Sequence, residues 1–467
     1  MAFLIVLAAL VFLMFVAYRG YSVILFAPVA ALGAVLLTDP SLVAPMFSGL
    51  FMDKMVGFLK NYFPVFLLGA IFGKVIELSG FSRSIVAATI RVVGASRAML
   101  AIVLVCALLT YGGVSLFVVV FAVYPFAAEL FRQGDIPKRL IPGTIALGAF
   151  TFTMDALPGT PQIQNIIPTT FFKTNTWAAP WLGTVGAVFI LLVGMLYLEW
   201  RRRSALAAGE GYATKTPLRN EPAEFTGGAL AHPLIALLPL LVVGVANKVL
   251  TVVIPNLYGE STSFIPAVIG APAPVVQEVS KIAAIWAVEG ALLLGIATVF
   301  VFAGKTVIQR FAEGSKDAIG GAMLSAMNTA SEYGFGAVIA ALPGFLLFAE
   351  TLRKIPDPLV NEAVTVTALA GITGSASGGM SIALAAMADT FIRNAEAAGI
   401  PLEVFHRVAA MASGGMDTLP HNGAVITLLA VTGLTHREAY KDIFAITIVK
   451  TLAVFLIIAT FYLTGWV

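Results

Sequence analysis

Apolar runs about as long as a membrane-crossing helix, roughly 20 residues, recur from one end of the chain to the other. Hydrophobic residues make up 59% of the 467 residues and charged residues only 11%, a composition far too apolar for a soluble globular protein. No polar stretch is long enough for a sizeable soluble domain. We therefore predict an all-α polytopic membrane protein that lies in a lipid bilayer.

Two kinds of irregular segment interrupt the predicted crossings. The arms of 98–131 are each short for a full crossing and meet at Gly112 and Gly113, which favours a re-entrant hairpin, although two tilted crossings fit the same lengths. The run 140–170 contains DALPGTP and predicts a crossing broken into two half-helices. Predicted full crossings lie at 2–17, 21–38, 56–79, 180–199, 232–254, 280–303, 321–349 and 443–464, with a second hairpin at 361–395 and a second broken helix at 404–434.

Matched motifs divide the chain into two related halves. FGKVI at Phe72 matches FGAVI at Phe335, GGVS at Gly112 matches GGMS at Gly378, and MDALP at Met154 matches MDTLP at Met416. The offsets are 263, 266 and 262 residues, which indicates an internal duplication. Each half holds about five full crossings, an odd number, so the halves should be inverted repeats, as in many secondary transporters. The predicted units are 1–200, a cytoplasmic linker 201–230, and 231–467.

The distribution of basic residues predicts the orientation. With the linker in the cytoplasm, loops on that side hold 17 of the 28 Lys and Arg, and loops on the other side hold eight. Lys74, Lys248 and Lys450 complete the 28, in or at the ends of helices. This bias agrees with the positive-inside rule. Both termini are then predicted to be periplasmic.

The hairpin tips and helix breaks are the predicted site. Each begins a new helix, and helix N-termini with free N–H groups favour an anion. Four converging N-termini suggest a carboxylate substrate, whereas close helix packing is the alternative role of the Gly-Gly pairs. Hydroxyls and carbonyls at the same tips could instead hold sodium, since hard cations prefer oxygen ligands. No thiolate or other metal-ligand motif is present, and no cofactor is predicted.

Asp155 and Asp417, the acids of MDALP and MDTLP, are the predicted proton-coupling residues. A carboxylate is expensive at bilayer depth, and a second negative charge beside an anionic substrate is repulsive. Protonation and substrate binding should therefore favour each other. The structural alternative is that each Asp caps the following half-helix. His421 can titrate near neutral pH and Glu332 is a third intramembrane acid; for both, a hydrogen-bonded structural role is also open.

The two breaks and the second tip resemble a known family. GSASGGMSIALA (374–385) and MASGGMDTLPHNGAVITLLAVTGLTH (411–436) resemble the gluconate permease (GntP) family of bacterial proton symporters, within the ion transporter superfamily. MDALPGTPQIQN (154–165) resembles its hydroxy-acid or 3-hydroxybutyrate permease branch. The resemblance implies an elevator-type transporter, usually a homodimer, that holds substrate between two tips and two unwound helices. The Ser-Asn-Thr tips of sodium-coupled dicarboxylate relatives are absent, which argues against sodium and against a dicarboxylate.

Together these features predict a proton symporter that imports a small hydroxy-monocarboxylate, such as 3-hydroxybutyrate or gluconate, across the bacterial inner membrane. The alternatives are a sodium-coupled or exchange transporter of a related anion and, more remotely, an intramembrane aspartyl enzyme. Neither catalytic motifs nor a clustered basic face for nucleic acid is present. The predicted substrate-binding residues are Gly112, Gly113, Ser115, Thr160, Gln162, Asn165, Ser375, Ser377, Gly378, Gly379, Ser381, Thr418 and Asn422.

Overall fold

The computed structural model is almost entirely helical and describes residues 2–19, 21–94, 97–114, 116–213, 218–222, 230–265, 274–345, 350, 354–420 and 422–467. The helices of the first half are α1 (Ala2–Tyr18), α2 (Val23–Thr38), α3 (Pro40–Leu78), α4 (Phe81–Val93), α5 (Ala98–Tyr111), α6 (Leu116–Gln133), α7 (Ile141–Ala149), α8 (Phe152–Asp155), α9 (Ile163–Phe172) and α10 (Pro180–Ala207). Those of the second half are α11 (Pro233–Tyr258), α12 (Val279–Ala341), α13 (Pro358–Thr373), α14 (Ala376–Ala398), α15 (Leu402–Gly414), α16 (Gly423–Thr432) and α17 (His436–Thr464).

Several helices are suited to a bilayer. Among the described residues, five are long and apolar enough to cross it, namely α3, α10, α11, α12 and α17, and α2, α5 and α16 are shorter apolar helices. Large apolar side chains such as Leu241, Val301 and Leu463 are exposed on these helices, as expected for surfaces that face lipid. The predicted polytopic membrane protein with a helical fold is confirmed at this level.

Helix α12 (Val279–Ala341) consists of two helical segments that meet at a kink at Ala303, whose backbone is not helical (φ of −135°). The kink falls where the predicted crossing 280–303 ends, but the residues that follow it are helical and do not form the expected loop. Among the residues after the kink, Val307 is buried, and the Phe311 ring packs edge-on against Phe300 on the other side of the kink. Residues 346–349, the predicted end of the second crossing, lie outside the described residues.

The link between the halves is also shorter than predicted. Helix α10 continues to Ala207, past the three arginines that were expected to begin the linker. It continues because Arg202 and Arg203 pair with Glu199 one turn earlier, and Arg201 pairs with Asp442 at 2.6 Å. The extra helical residues are thus held by side-chain ion pairs.

A short β-hairpin departs from the all-α prediction. Strands β1 (Ser261–Phe264) and β2 (Val275–Glu278) pair antiparallel, with Ser261 opposite Glu278. The strand residues are rich in Val, Thr and Phe, which favour extended backbone. Gly259, with φ of +68°, ends α11, so the chain leaves the helix two residues before β1 begins.

Glycine and capping residues form the two tips and the two helix breaks. In the second tip (residues 374–378), Gly374 ends α13 with φ of +68°, and the Ser375 hydroxyl accepts a hydrogen bond from the Gly378 N–H. In the first tip (residues 112–114), Gly113 has φ of +97°. The first break (residues 150–162) separates α7 from α9, and the second break (residues 415–422) separates α15 from α16. The predicted interruptions thus have identifiable local causes.

Candidate functional site

Asp155 lies at the first break in an ion pair that spans the two halves. Its Oδ2 is 2.8 Å from the Nζ of Lys450 on α17, and both side chains are buried. The Oδ1 has no hydrogen-bond partner among the described residues. Among the described residues, Lys450 is therefore the cation in direct ion-pair contact with Asp155.

Lys450 also holds the carboxyl ends of two half-helices. Its ammonium donates to the carbonyl oxygen of Phe150, at 2.9 Å, just beyond the end of α7, and to the carbonyl oxygen of Gly414, the last residue of α15. A cation is favoured there because carbonyl oxygens near a helix C-terminus carry the negative end of the helix dipole. After Gly414 the chain continues as a short 3-10 helix, Gly415–Thr418. A Cβ at position 414 would overlap the Asp155 carboxylate, so only glycine leaves room for this pair.

A second buried cation, Arg407, fastens the first break from the other side. Its guanidinium donates to the Asp155 carbonyl oxygen at 2.7 Å, to Asn165 Oδ1 at 3.0 Å and to the Ala178 carbonyl oxygen at 2.7 Å. Asn165 Oδ1 also lies 3.1 Å from His406 Nε2. Arg407 forms no ion pair among the described residues, and the acceptors of its hydrogen bonds are neutral carbonyl and amide oxygens.

Asp417, at the second break, has a different set of partners. Its carboxylate accepts hydrogen bonds from Gln164 Nε2 at 3.0 Å, Asn422 Nδ2 at 3.0 Å and the Ala376 N–H at 3.3 Å. Ala376 is the first residue of α14, so Asp417 lies at a helix N-terminus, where an anion is favoured. Within the part of the chain that the structure describes, Asp417 has no ion-pair partner.

Each tip is hydrogen-bonded to the break of its own half. In the first half, Gln162 Nε2 donates to the Val114 carbonyl oxygen of the tip at 3.4 Å and to the Thr110 carbonyl oxygen just before the tip at 2.7 Å. The Tyr111 hydroxyl donates to the Pro158 carbonyl oxygen at 2.8 Å. In the second half, Asn422 Nδ2 donates to the Gly374 carbonyl oxygen at 2.8 Å. The bond between Gln164 and Asp417 then joins the two breaks, and the whole arrangement forms one connected polar centre.

Glu332 brings a third acid to the second tip. It is buried on α12, and a Cβ at Gly378 would overlap its carboxylate, so the acid packs directly on the tip backbone. Nearby, Thr329 Oγ1 lies 3.3 Å from Ser377 Oγ. The Glu332 Oε2 and the hydroxyls of Ser331 and Ser381 have no hydrogen-bond partner among the described residues. The second tip therefore carries unsatisfied polar groups.

Other predicted residues are committed to internal contacts. The Thr160 hydroxyl donates to the Thr153 carbonyl oxygen and the Thr418 hydroxyl lies 2.6 Å from that of Thr447. Gly112 packs on Leu240 and Gly379 on the backbone of Ala370, which is the helix-packing role left open for these glycines. Ser115 and His421 lie outside the described residues. The residues that share the polar centre are Asp155, Gln162, Asn165, Ser375, Ser377, Gly378, Asp417, Asn422 and Glu332; Gly113 faces Pro161 at its edge.

Sequence reasoning missed both cations of the polar centre. Arg407 was counted among the eight basic residues of outer loops, but it is fully buried within α15, so that count is one too high. Lys450 served only in the topology count, although a lysine in the apolar run 443–464 is as costly as an intramembrane acid. Gln164 and His406 were also missed. Among the described residues, no cluster of three His, Cys, Asp or Glu suits a metal.

Comparisons with known proteins identify a transporter. No protein-family model matches the chain. The structure is similar to the crystal structure of the Alcanivorax borkumensis YdaH transporter, which is described as having an unusual topology. The match covers 92% of this chain and 90% of that chain, with a TM-score of 0.50 and 15% sequence identity. That likeness concerns the fold. The uncharacterized transporter YxjC of Bacillus subtilis (strain 168) is 60% identical over 475 residues, covering all of both chains. The chain therefore belongs to the same transporter family as YxjC.

Proposed function

We propose that this transporter is a proton symporter that imports a small hydroxy-monocarboxylate, such as 3-hydroxybutyrate or gluconate, across the bacterial inner membrane. The observation that carries this proposal is the position of Asp417. Its carboxylate accepts from the Ala376 N–H at the N-terminus of α14, which is where the sequence predicts that a substrate carboxylate binds. In the absence of substrate, the Asp417 carboxylate would thus occupy the hydrogen-bond donor that the substrate carboxylate is proposed to use.

Protonation of Asp417 would release this N-terminus to the substrate. A neutral carboxyl group no longer benefits from the positive end of the helix dipole, whereas an incoming carboxylate does. The Gln164 and Asn422 amides that now hold Asp417 could then donate to the substrate. Proton and anion would bind together, and each alone would bind poorly.

The balance of buried charges supports the same coupling. Lys450, Arg407 and Asp155 together carry one net positive charge, which suits one carboxylate. If Asp417 and Glu332 are both ionised, the centre instead carries one net negative charge and repels an anion. Buried charges are costly unless they are compensated, so a proton that accompanies the substrate lowers the electrostatic cost of loading.

We further propose the architecture that the sequence predicts. The two halves, 1–200 and 231–467, would be inverted repeats with re-entrant hairpins, periplasmic termini and an elevator movement in a homodimer. Contact of both tips with the breaks supports tips that end inside the membrane. The resemblance to the GntP family supports the substrate class and the coupling ion. A transporter relative that matches the whole chain argues against the aspartyl enzyme.

Transport by purified protein in liposomes tests the proposal. An inward proton gradient without sodium should drive accumulation of labelled 3-hydroxybutyrate or gluconate. Asp417→Asn should abolish this concentrative uptake because the amide cannot bind and release a proton. Asp389→Asn, which changes an exposed acid on α14, is the control and should transport normally. Uptake that needs sodium and ignores pH, or unchanged pH dependence in the Asp417 variant, would contradict the proposal.

A further inference from the structure

The ammonium of Lys450 has the surroundings of a bound cation. Its partners are one carboxylate oxygen of Asp155, at 2.8 Å, and the main-chain carbonyl oxygens of Phe150, at 2.9 Å, and Gly414. All three are oxygen atoms, and they come from both broken helices. Lys450 itself is buried, with about 1% of its side chain exposed, so water does not supply further ligands from an open surface.

This set of oxygens matches the type of site that holds a sodium ion in secondary transporters. There, unwound backbone carbonyls and the carboxyl ends of half-helices coordinate the ion. A hard cation prefers a carboxylate and carbonyl oxygens. The ends of α7 and α15 supply the carbonyls at this position, and Asp155 supplies the negative charge. The side-chain nitrogen of Lys450 lies where the ion would bind.

The lysine is peculiar to the second half. The offsets of 262 to 266 residues between the halves place its counterparts at Thr184 to Val188 on α10, and none of those residues is basic. The corresponding helix therefore forms without a buried lysine. We therefore attribute the buried charge of Lys450 to its ion pair with Asp155 and not to a requirement for folding of the helix.

We propose that the Lys450 ammonium is a tethered cation that fills a sodium-type site, and that removal of this side chain opens the site to Na⁺. The transporter would then need no sodium at this position because the cation is built into the chain. The inference concerns the coupling side of the proposed transport and rests on that proposal only for its uptake measurement.

Two variants of Lys450 compare an emptied cation site with one that is still filled by a side chain. Lys450→Ala leaves space beside the three oxygens, whereas Lys450→Met removes the charge but retains a side chain of similar length. In detergent, NaCl should raise the Tm of the Ala variant by roughly 2 °C or more relative to choline chloride and KCl at equal ionic strength. The Met variant and the wild-type protein should show no Na⁺-specific rise. Lys450→Ser adds a possible oxygen ligand and serves as a second opened variant.

The stability measurement needs no substrate, so it stays valid if the proposed substrate is wrong. A Na⁺-specific rise in the Ala or Ser variant alone supports the tethered cation. An equal rise in the Met variant, or none in folded Ala and Ser variants, overturns it. A saturable Na⁺-specific rise in the wild-type protein also overturns it, and this holds even if the opened variants do not fold. In liposomes, the opened variants that retain uptake should require Na⁺, whereas the wild type should not.

Discussion

Asp155 and Asp417 occupy the same place in MDALP and MDTLP, but they meet opposite ends of helices. Asp155 lies beside Lys450, where α7 and α15 end. Asp417 lies at the N-terminus of α14 and has only neutral donors among the described residues. Related sequence motifs have thus acquired different electrostatic partners. In the proposed mechanism, Lys450 would fix the charge of Asp155 at the first break, whereas Asp417 at the second break would exchange its proton.

The largest expected effect is the loss of the buried ion pair. Asp155→Asn and Lys450→Met should each lower the free energy of unfolding by about 3–5 kcal/mol, because each leaves one uncompensated charge. The double variant should lose much less than the sum. Asp417→Asn should cost only about 1–3 kcal/mol, since its donors are neutral. Unfolding of the four variants in detergent micelles measures these differences, and equal costs for the two aspartates would break the comparison.

Gly414→Ala tests whether the pair depends on the close approach of a bare backbone. A methyl group there would overlap the Asp155 carboxylate, and overpacking of this kind typically costs about 1–3 kcal/mol. Gly423→Ala is the matched control in the same broken helix, because a Cβ there meets nothing within 4 Å. Tm values should fall for the first variant and stay nearly unchanged for the second. A harmless Gly414→Ala would mean that the pair can move freely.

Gln164→Leu removes one of the three donors to Asp417 while nearly retaining the side-chain volume. The remaining bonds from Asn422 and Ala376 should limit the loss to about 1–2 kcal/mol. Gln162→Leu, which removes a bond to the first tip instead, provides the comparison. Uptake measured alongside Tm should fall further in the Gln164 variant, because only that residue contacts Asp417. Equal uptake in the two variants would argue against a special role for the second break.

The smallest effect is expected at a carboxylate outside the membrane segments. Burial raises the pKa of Glu221, but hydrogen bonds from Lys138, Arg132 and Tyr212 outweigh it and lower the pKa overall. Its stabilising contribution is therefore present above about pH 4.5 and is lost as the pH falls further. Glu221→Gln should cost about 1 kcal/mol near neutral pH, because the Gln amide oxygen can still accept a hydrogen bond from the buried Lys138 ammonium, and it should reduce the loss of Tm between pH 5 and 3.5. An unchanged acid profile would contradict this assignment.

Local features of the site could be predicted from the sequence, and contacts between distant segments could not. The matched GGVS and GGMS motifs predict an interruption near Gly378 and Gly379, but the structure places it a few residues earlier, where Gly374 ends α13 and Ser375 caps α14. Asp155 and Lys450 are 295 residues apart in the chain, and nothing in either local motif indicates that they pair. Charge alone was also misleading: Arg407 lies near the start of the predicted broken helix 404–434, where a basic residue is easily assigned to the adjoining loop. Only packing places its guanidinium against main-chain carbonyls.

Helix α12 links the two tips mechanically. Leu292 packs on Gly113 before the bend at Ala303, and Glu332 packs on Gly378 after it. A helix resists bending except where its backbone geometry is interrupted, and Ala303 is such a point. Each tip therefore moves with its own helical segment of α12, and a change in the angle at Ala303 is what would let one tip shift relative to the other.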